Sequence, residues 1–143
     1  MERAKFPVAV HLFLINGNNI LLLKRYNTGY EDGNYSVIAG HLDGDENVYN
    51  AIIREAKEEA GIEIKLKDLK IIQVMHRKKT NEERIDYFFT CKKWYGNIIN
   101  MEPNKCSELK WNSIKRLPVN TIEYIKYAIK YYLKEINFTL FGW

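Results

Sequence analysis

The sequence predicts an α/β domain in which a mixed β-sheet lies between α-helices. Two observations carry this. Short apolar runs, bounded by glycine- and asparagine-rich turns, recur along the chain and read as strands. Two longer segments instead place apolar residues three and four positions apart, the period of a helix with one buried face. The two kinds of segment alternate irregularly, which favours a mixed sheet over a regular βαβ array.

Residues 6–15 ("FPVAVHLFLI") and 19–25 ("NILLLKR") flank "NGNN" and predict a β-hairpin. Residues 25–35 are polar, hold two glycines and predict a loop; "YSVIA" at 35–39 is a short strand ending at Gly40. After the loop "HLDGD", Val48, Ala51, Ile52 and Ala56 set a helical period, with Asp45 or Asn47 able to cap its start and Gly61 its end. Residues 69–76 and 85–94 predict two more strands around a charged turn, "RKKTNEER"; 108–111 is a brief strand. A second helix is expected from Asn120, with an apolar stripe of Ile122, Ile125, Ile129, Leu133 and Ile136, and "NFTLFGW" can add an edge strand.

The 143 residues fit one domain spanning the whole chain, and 46% apolar residues supply a core. A net charge of +4 is compatible with anionic small ligands and too dispersed for a nucleic-acid groove, so no stable nucleic-acid partner is expected. Cys91 and Cys106 form no metal-type pair and read as reduced thiols. No run approaches the ~18 apolar residues of a membrane helix, and the expected location is the cytoplasm. A monomer or homodimer is expected.

The chemistry concentrates in "GHLDGDENVYNAIIREAKEEAGI", residues 40–62. On a helix Glu55 lies beside both Glu58 and Glu59. Three carboxylates in one patch raise each other's pKa unless a cation intervenes. A hard divalent ion such as Mg²⁺ suits oxygen ligands shared with substrate phosphates, and no His or Cys cluster competes for zinc. Arg54 points about 100° away from Glu55 but can curl to hold a carboxylate from the side. Glu46 sits where a helix N-terminus favours negative charge. A solvated acidic face balanced by Lys57 and Arg54 is the other reading of "REAKEEAG" taken alone.

Gly40, Glu46, Arg54, Glu55, Glu58, Glu59, Gly61 and Ile62 fill every fixed position of the pattern G-x5-E-x7-R-E-U-x-E-E-x-G-U. This resembles the Nudix box, and the order of strands and helices around it is similar to the Nudix fold over most of the chain, in its MutT-like branch. The resemblance implies hydrolysis of a nucleoside diphosphate linked to another moiety, with Mg²⁺ (or Mn²⁺) as cofactor. It implies Glu55, Glu59 and Glu58 as metal ligands with the carbonyl of Ala39, and Arg54 as their orienting partner. Gly40, Glu46 and Gly61 are then structural parts of the motif. Glu58 and Glu102 are the candidates for taking a proton from water, with Glu108 a weaker one.

Arg25 and Lys24 end the second strand, where family members hold phosphates; Arg84 is a weaker candidate. Asn120 aligns loosely with a base-contacting asparagine of the MutT-type branch, and also heads an Asn-x-x-Glu cap signature, which is favoured. Tyr30, Tyr35, Trp94 and Trp111 could stack on a base. His11, His41 and His76 read as strand or loop positions. The short segment before the first strand favours a nucleoside triphosphate, cleaved to monophosphate and pyrophosphate. An ADP-ribose, nucleotide-sugar or dinucleoside polyphosphate substrate stays open, as do a non-catalytic nucleotide-binding module and an RNA-end processing enzyme.

Overall fold

The computed structural model describes residues 1–143. Its elements are β1 (Val8–Asn16), β2 (Asn19–Arg25), β3 (Tyr35–Ser36), β4 (Ile38–His41), α1 (Val48–Ala60), β5 (Leu69–Lys79), β6 (Glu82–Cys91), β7 (Cys106–Ser113), α2 (Glu123–Leu133) and β8 (Phe138–Phe141). A single 3-10 turn, Leu66–Asp68, leads into β5.

β1 organises the sheet. It pairs parallel with β6, antiparallel with β4 through Ala9–Leu12, and antiparallel with β2 only at Ile15 and Asn16. The path β3-β2-β1-β6-β5-β8 therefore forks, with β4 on β1 and β7 on β2. Strand side chains alternate between faces. Val10, Leu12 and Leu14 accordingly join a core with Ala51, Ile52, Ala56 and Ala60 of α1, while Phe13 and Ile15 join a second with Ile125, Ala128 and Ile129 of α2. Each fully buried Leu, Ile or Phe contributes roughly 1.5–3 kcal/mol. The sheet thus lies between the helices, as the patterning predicts.

Several boundaries differ from the sequence expectation. The turn in "RKKTNEER" is only Thr80 and Asn81: β5 and β6 run through the charged residues, Lys79 opposite Glu82 and Arg77 opposite Arg84. Charge hides strand period here, because Met75, Arg77 and Lys79 share one face that is apolar at one end and cationic at the other. The second helix starts at Glu123, not Asn120, and its N-cap residue, Ile122, makes no side-chain cap. It ends at Leu133, which with Ile136 is exposed. "NFTLFGW" does supply an edge strand, β8, parallel to β5. No helix is long and apolar enough to cross a membrane.

Candidate active site

Local sequence fixes where α1 begins and ends. The Asn47 side chain accepts from the Asn50 amide, and Gly61, in the left-handed region at φ 68°, sends its N–H to the Lys57 carbonyl. α1 therefore spans the acidic stretch and seats Ala51, Ile52, Ala56 and Ala60 on the sheet. Glu55, Glu58 and Glu59 are left beside the segment that follows β4.

Arg54 gathers these acids. Its Nη1 donates to Glu55 Oε1 at 2.7 Å and to Glu58 Oε2 at 3.3 Å, and its Nε and Nη2 donate to the two Glu46 oxygens at 3.1 and 2.7 Å. Nη2 also reaches the His41 carbonyl at 3.2 Å. The curl expected of Arg54 is thus the observed one. Glu46 closes the loop by accepting from the Asp43 amide, and the Arg54 guanidinium holds its carboxyl below the usual range.

Glu59 lies half-buried, and its Oε2 accepts from the Ala39 amide at 3.1 Å. Burial, with Glu55 adding to it, raises its carboxyl well above the ordinary value. Glu55 is also raised, by burial first, against the pull of Arg54. Gly40 packs against Glu55: a Cβ there would overlap its carboxylate.

Glu102 arrives from a different segment. The Ile99 and Met101 amides donate to the carbonyls of Ala60 and Glu59, docking the loop before β7 onto the end of α1. One cavity of about 470 Å³ is then lined by Glu55, Glu58, Glu59 and Glu102, together with Arg25 and Lys105. The four carboxylates do not yet close around a single point, since Glu55 faces Arg54 and Glu59 the Ala39 amide. Their donor set is nonetheless oxygen only. The one thiol in the wall, Cys106, donates to the Glu108 carbonyl and is pushed up by burial. Clustered, partly desolvated carboxyls of this kind suit a hard divalent cation.

Arg25 enters this cavity on the same face of β2 as Leu23, two residues earlier. The β2–β7 register shifts beside it, where Ser107 of β7 is passed over. Arg25 Nε and Nη2 bond the Tyr30 carbonyl and Thr28 Oγ1 at 2.7 and 3.0 Å, which also fixes the loop after β2. Lys24 does not line the cavity; its ammonium sits over the Tyr35 ring, 5.7 Å from the centroid. Asn120 caps no helix; its Nδ2 donates to the Gly33 carbonyl at 2.8 Å, tying the start of α2 to the same loop. Glu108 is taken up by Tyr35 and Lys110. Tyr35 is buried, Trp94 and Trp111 pack on each other, and none of the three lines either cavity.

A second cavity of about 450 Å³ adjoins the first, sharing Arg25. Ala39, Gly40 and His41 border it, with Tyr30, Arg77, Lys79 and Arg84. Its floor is a buried polar cluster in which Arg77 pairs with Asp86 at 2.8 and 3.3 Å and lies 3.6 Å from the centre of the Tyr124 ring. His11 Nε2 contacts Tyr124 Oη at 3.1 Å, and burial lowers its pKa to about 4. Sequence reasoning missed Arg77, Lys79, Asp86 and Tyr124. The parity of Met75, Arg77 and Lys79 was the available signal.

The NUDIX domain model matches residues 5–132. Among solved structures, the fold is similar to that of a MutT NUDIX hydrolase from Burkholderia pseudomallei, with a TM-score of 0.80 and 22% identity over 89% of this chain and 98% of that one. It is also similar to the MutT protein of Methanosarcina mazei Go1, with a TM-score of 0.79 and 18% identity over 94% and 98% of the two chains. An ADP compounds hydrolase shares it with a TM-score of 0.73 and 20% identity, over 93% of this chain and 74% of that one.

Proposed function

This chain belongs to the NUDIX family, as a Nudix pyrophosphohydrolase, and from that premise we propose that it cleaves a nucleoside triphosphate to the monophosphate and pyrophosphate. The observation that carries the reading is the cavity in which Glu55, Glu58 and Glu59 of α1 meet Glu102 from the docked loop, facing the cations Arg25 and Lys105.

Glu55, Glu59 and Glu58, with the Ala39 carbonyl, are the groups that would hold Mg²⁺ or Mn²⁺. A divalent cation so bound would neutralise phosphate oxygens and ease ionisation of a water. Arg54 keeps Glu55 and Glu58 in place; Gly40 leaves the space that Glu55 needs. Arg25 and Lys105 bind non-bridging phosphate oxygens, Arg25 through its planar fork. Glu58 or Glu102 accepts the proton of the attacking water: Glu58 is exposed and held only by Arg54 at 3.3 Å, and the Glu102 carboxylate has no side-chain partner on that wall. In-line displacement at phosphorus then depends on positioning and charge, not on a covalent intermediate.

Incubation with Mg²⁺ and a panel of nucleoside triphosphates, nucleotide sugars, ADP-ribose and dinucleoside polyphosphates, with products identified by mass, tests the reading. Monophosphate and pyrophosphate should appear from a triphosphate, and not with chelator. Absence of cleavage across the panel with both Mg²⁺ and Mn²⁺ would refute it.

A further inference from the structure

We infer that the second cavity reads an additional anionic group on the substrate, a phosphate or a carboxylate lying outside the cleaved diphosphate linkage, through Lys79 and Arg84. This rests on the hydrolase reading above and narrows its substrate class.

The charges decide the point. Four cations border this cavity: Arg25, Arg77, Lys79 and Arg84. Two carboxylates answer them. Asp86 is spent on Arg77, both side chains being buried. Glu82 pairs with Arg84 on the same strand, in a pair exposed enough to exchange for a better partner. Lys79 has no carboxylate within ion-pair distance, and its ammonium lies 5.0 Å from the centre of the Tyr30 ring. The Arg25 guanidinium lies over the same ring at 5.2 Å. Arg25 is already engaged by the loop and the first cavity, so Lys79 is the cation beside that ring left without a carboxylate partner.

The backbone makes this arrangement deliberate in physical terms. Arg77 and Arg84 stand directly opposite each other across β5 and β6. Like charges at such positions destabilise a sheet unless each is offset; Asp86 offsets Arg77 from inside, while Arg84 has only the exposed Glu82, the partner that an incoming anion could replace. A neutral group filling the cavity would instead desolvate the cations without compensating them.

The pocket extends away from the glutamates. Lys79, Arg84 and Arg77 do not line the carboxylate cavity; Arg25 lines both, and the Ala39–Gly40 segment beside Glu55 and Glu59 borders this one. A substrate whose diphosphate lies at the glutamates would present a neighbouring part of the molecule to Lys79 and Arg84.

The test uses matched pairs that differ by one anionic group. ADP-ribose 2′-phosphate against ADP-ribose probes a phosphate, and UDP-glucuronate against UDP-glucose probes a carboxylate. With Mg²⁺, kcat/KM should favour the charged member of at least one pair by about tenfold or more, the scale of one charge-assisted contact. Lys79→Ala and Arg84→Ala should each bring that ratio toward one. A second arm needs no turnover: in chelator, inorganic phosphate should shift the Arg84 side-chain NMR signal saturably, and the double variant K79A/R84A should lose phosphate binding. Ratios near one in both pairs, with triphosphate cleavage intact, would overturn this inference and leave the hydrolase reading standing. If no pair is cleaved, the phosphate titration decides alone: saturable binding at Arg84 supports the pocket, and its absence overturns it.

Discussion

Gly40 and Glu55 share one volume: any β-carbon on residue 40 would intrude on the Glu55 carboxylate. Gly40 does not occupy the left-handed backbone region, so an alanine there meets no backbone strain. Its cost falls on the carboxylate. Gly40→Ala should cut turnover roughly a hundredfold, the scale expected for displacing a positioned catalytic group by about 1 Å, while the unfolding midpoint in urea stays near wild type. Normal turnover would mean that Glu55 works equally well when displaced.

Arg54 is the hub through which Glu46, Glu55 and Glu58 are held. A lysine cannot reproduce a planar fork that serves several carboxylates at once. Both Arg54→Lys and Arg54→Met should lower activity by roughly 10- to 100-fold, as loss of an orienting partner does, and weaken Mg²⁺ binding in calorimetric titration. Equal Mg²⁺ affinity in R54K and wild type would count against the hub.

His11 is buried beside Asp86, Arg77 and Tyr124, and burial lowers its pKa to about 4. The unfolded chain, with a histidine pKa of about 6.5, takes up a proton first as the pH falls. Stability is therefore full above that value and is lost progressively toward pH 4, by an amount on the order of 3 kcal/mol. His11→Asn should flatten this part of the stability–pH curve, measured by urea unfolding between pH 7 and 4. An unchanged slope would show that His11 gains its proton in the folded state.

Arg77 and Asp86 form a buried ion pair under the second cavity. Removing one partner leaves the other charge uncompensated. Asp86→Asn should destabilise the fold by about 3–5 kcal/mol. The double change R77M/D86L, which removes both charges, should recover much of that in urea unfolding. If the double variant were less stable than D86N, the pair would be valuable beyond mutual compensation.

The carboxylate site was legible because its residues are local. Glu55, Glu58 and Glu59 follow helical spacing, Asn47 and Gly61 mark the helix ends, and Gly40 precedes it at a fixed distance. Glu102 was legible only through family resemblance, since the contact that brings it in is a pair of backbone hydrogen bonds from its loop to the end of α1. The second cavity was hidden for a different reason. Its parts come from β1 to β6 and α2, and the pairing of β1 with β6 is parallel and distant in sequence. The charged ends of β5 and β6 imitate a loop, because a strand that borders a cavity need not be apolar there. Asn120 misled through a sound capping signature: α2 starts three residues later, and the amide went to Gly33 instead.

Glu59 offers the most direct test of whether these carboxylates serve a cation and a diphosphate. Wild type and Glu59→Gln should be compared on a nucleoside triphosphate with Mg²⁺, with products identified by mass and unfolding followed in parallel. Glutamine keeps the shape and can still accept from the Ala39 amide, so folding should persist. Turnover should fall by at least roughly a hundredfold, since several kcal/mol of charge stabilisation are lost. A Glu59→Gln protein that releases pyrophosphate at the wild-type rate would contradict the account.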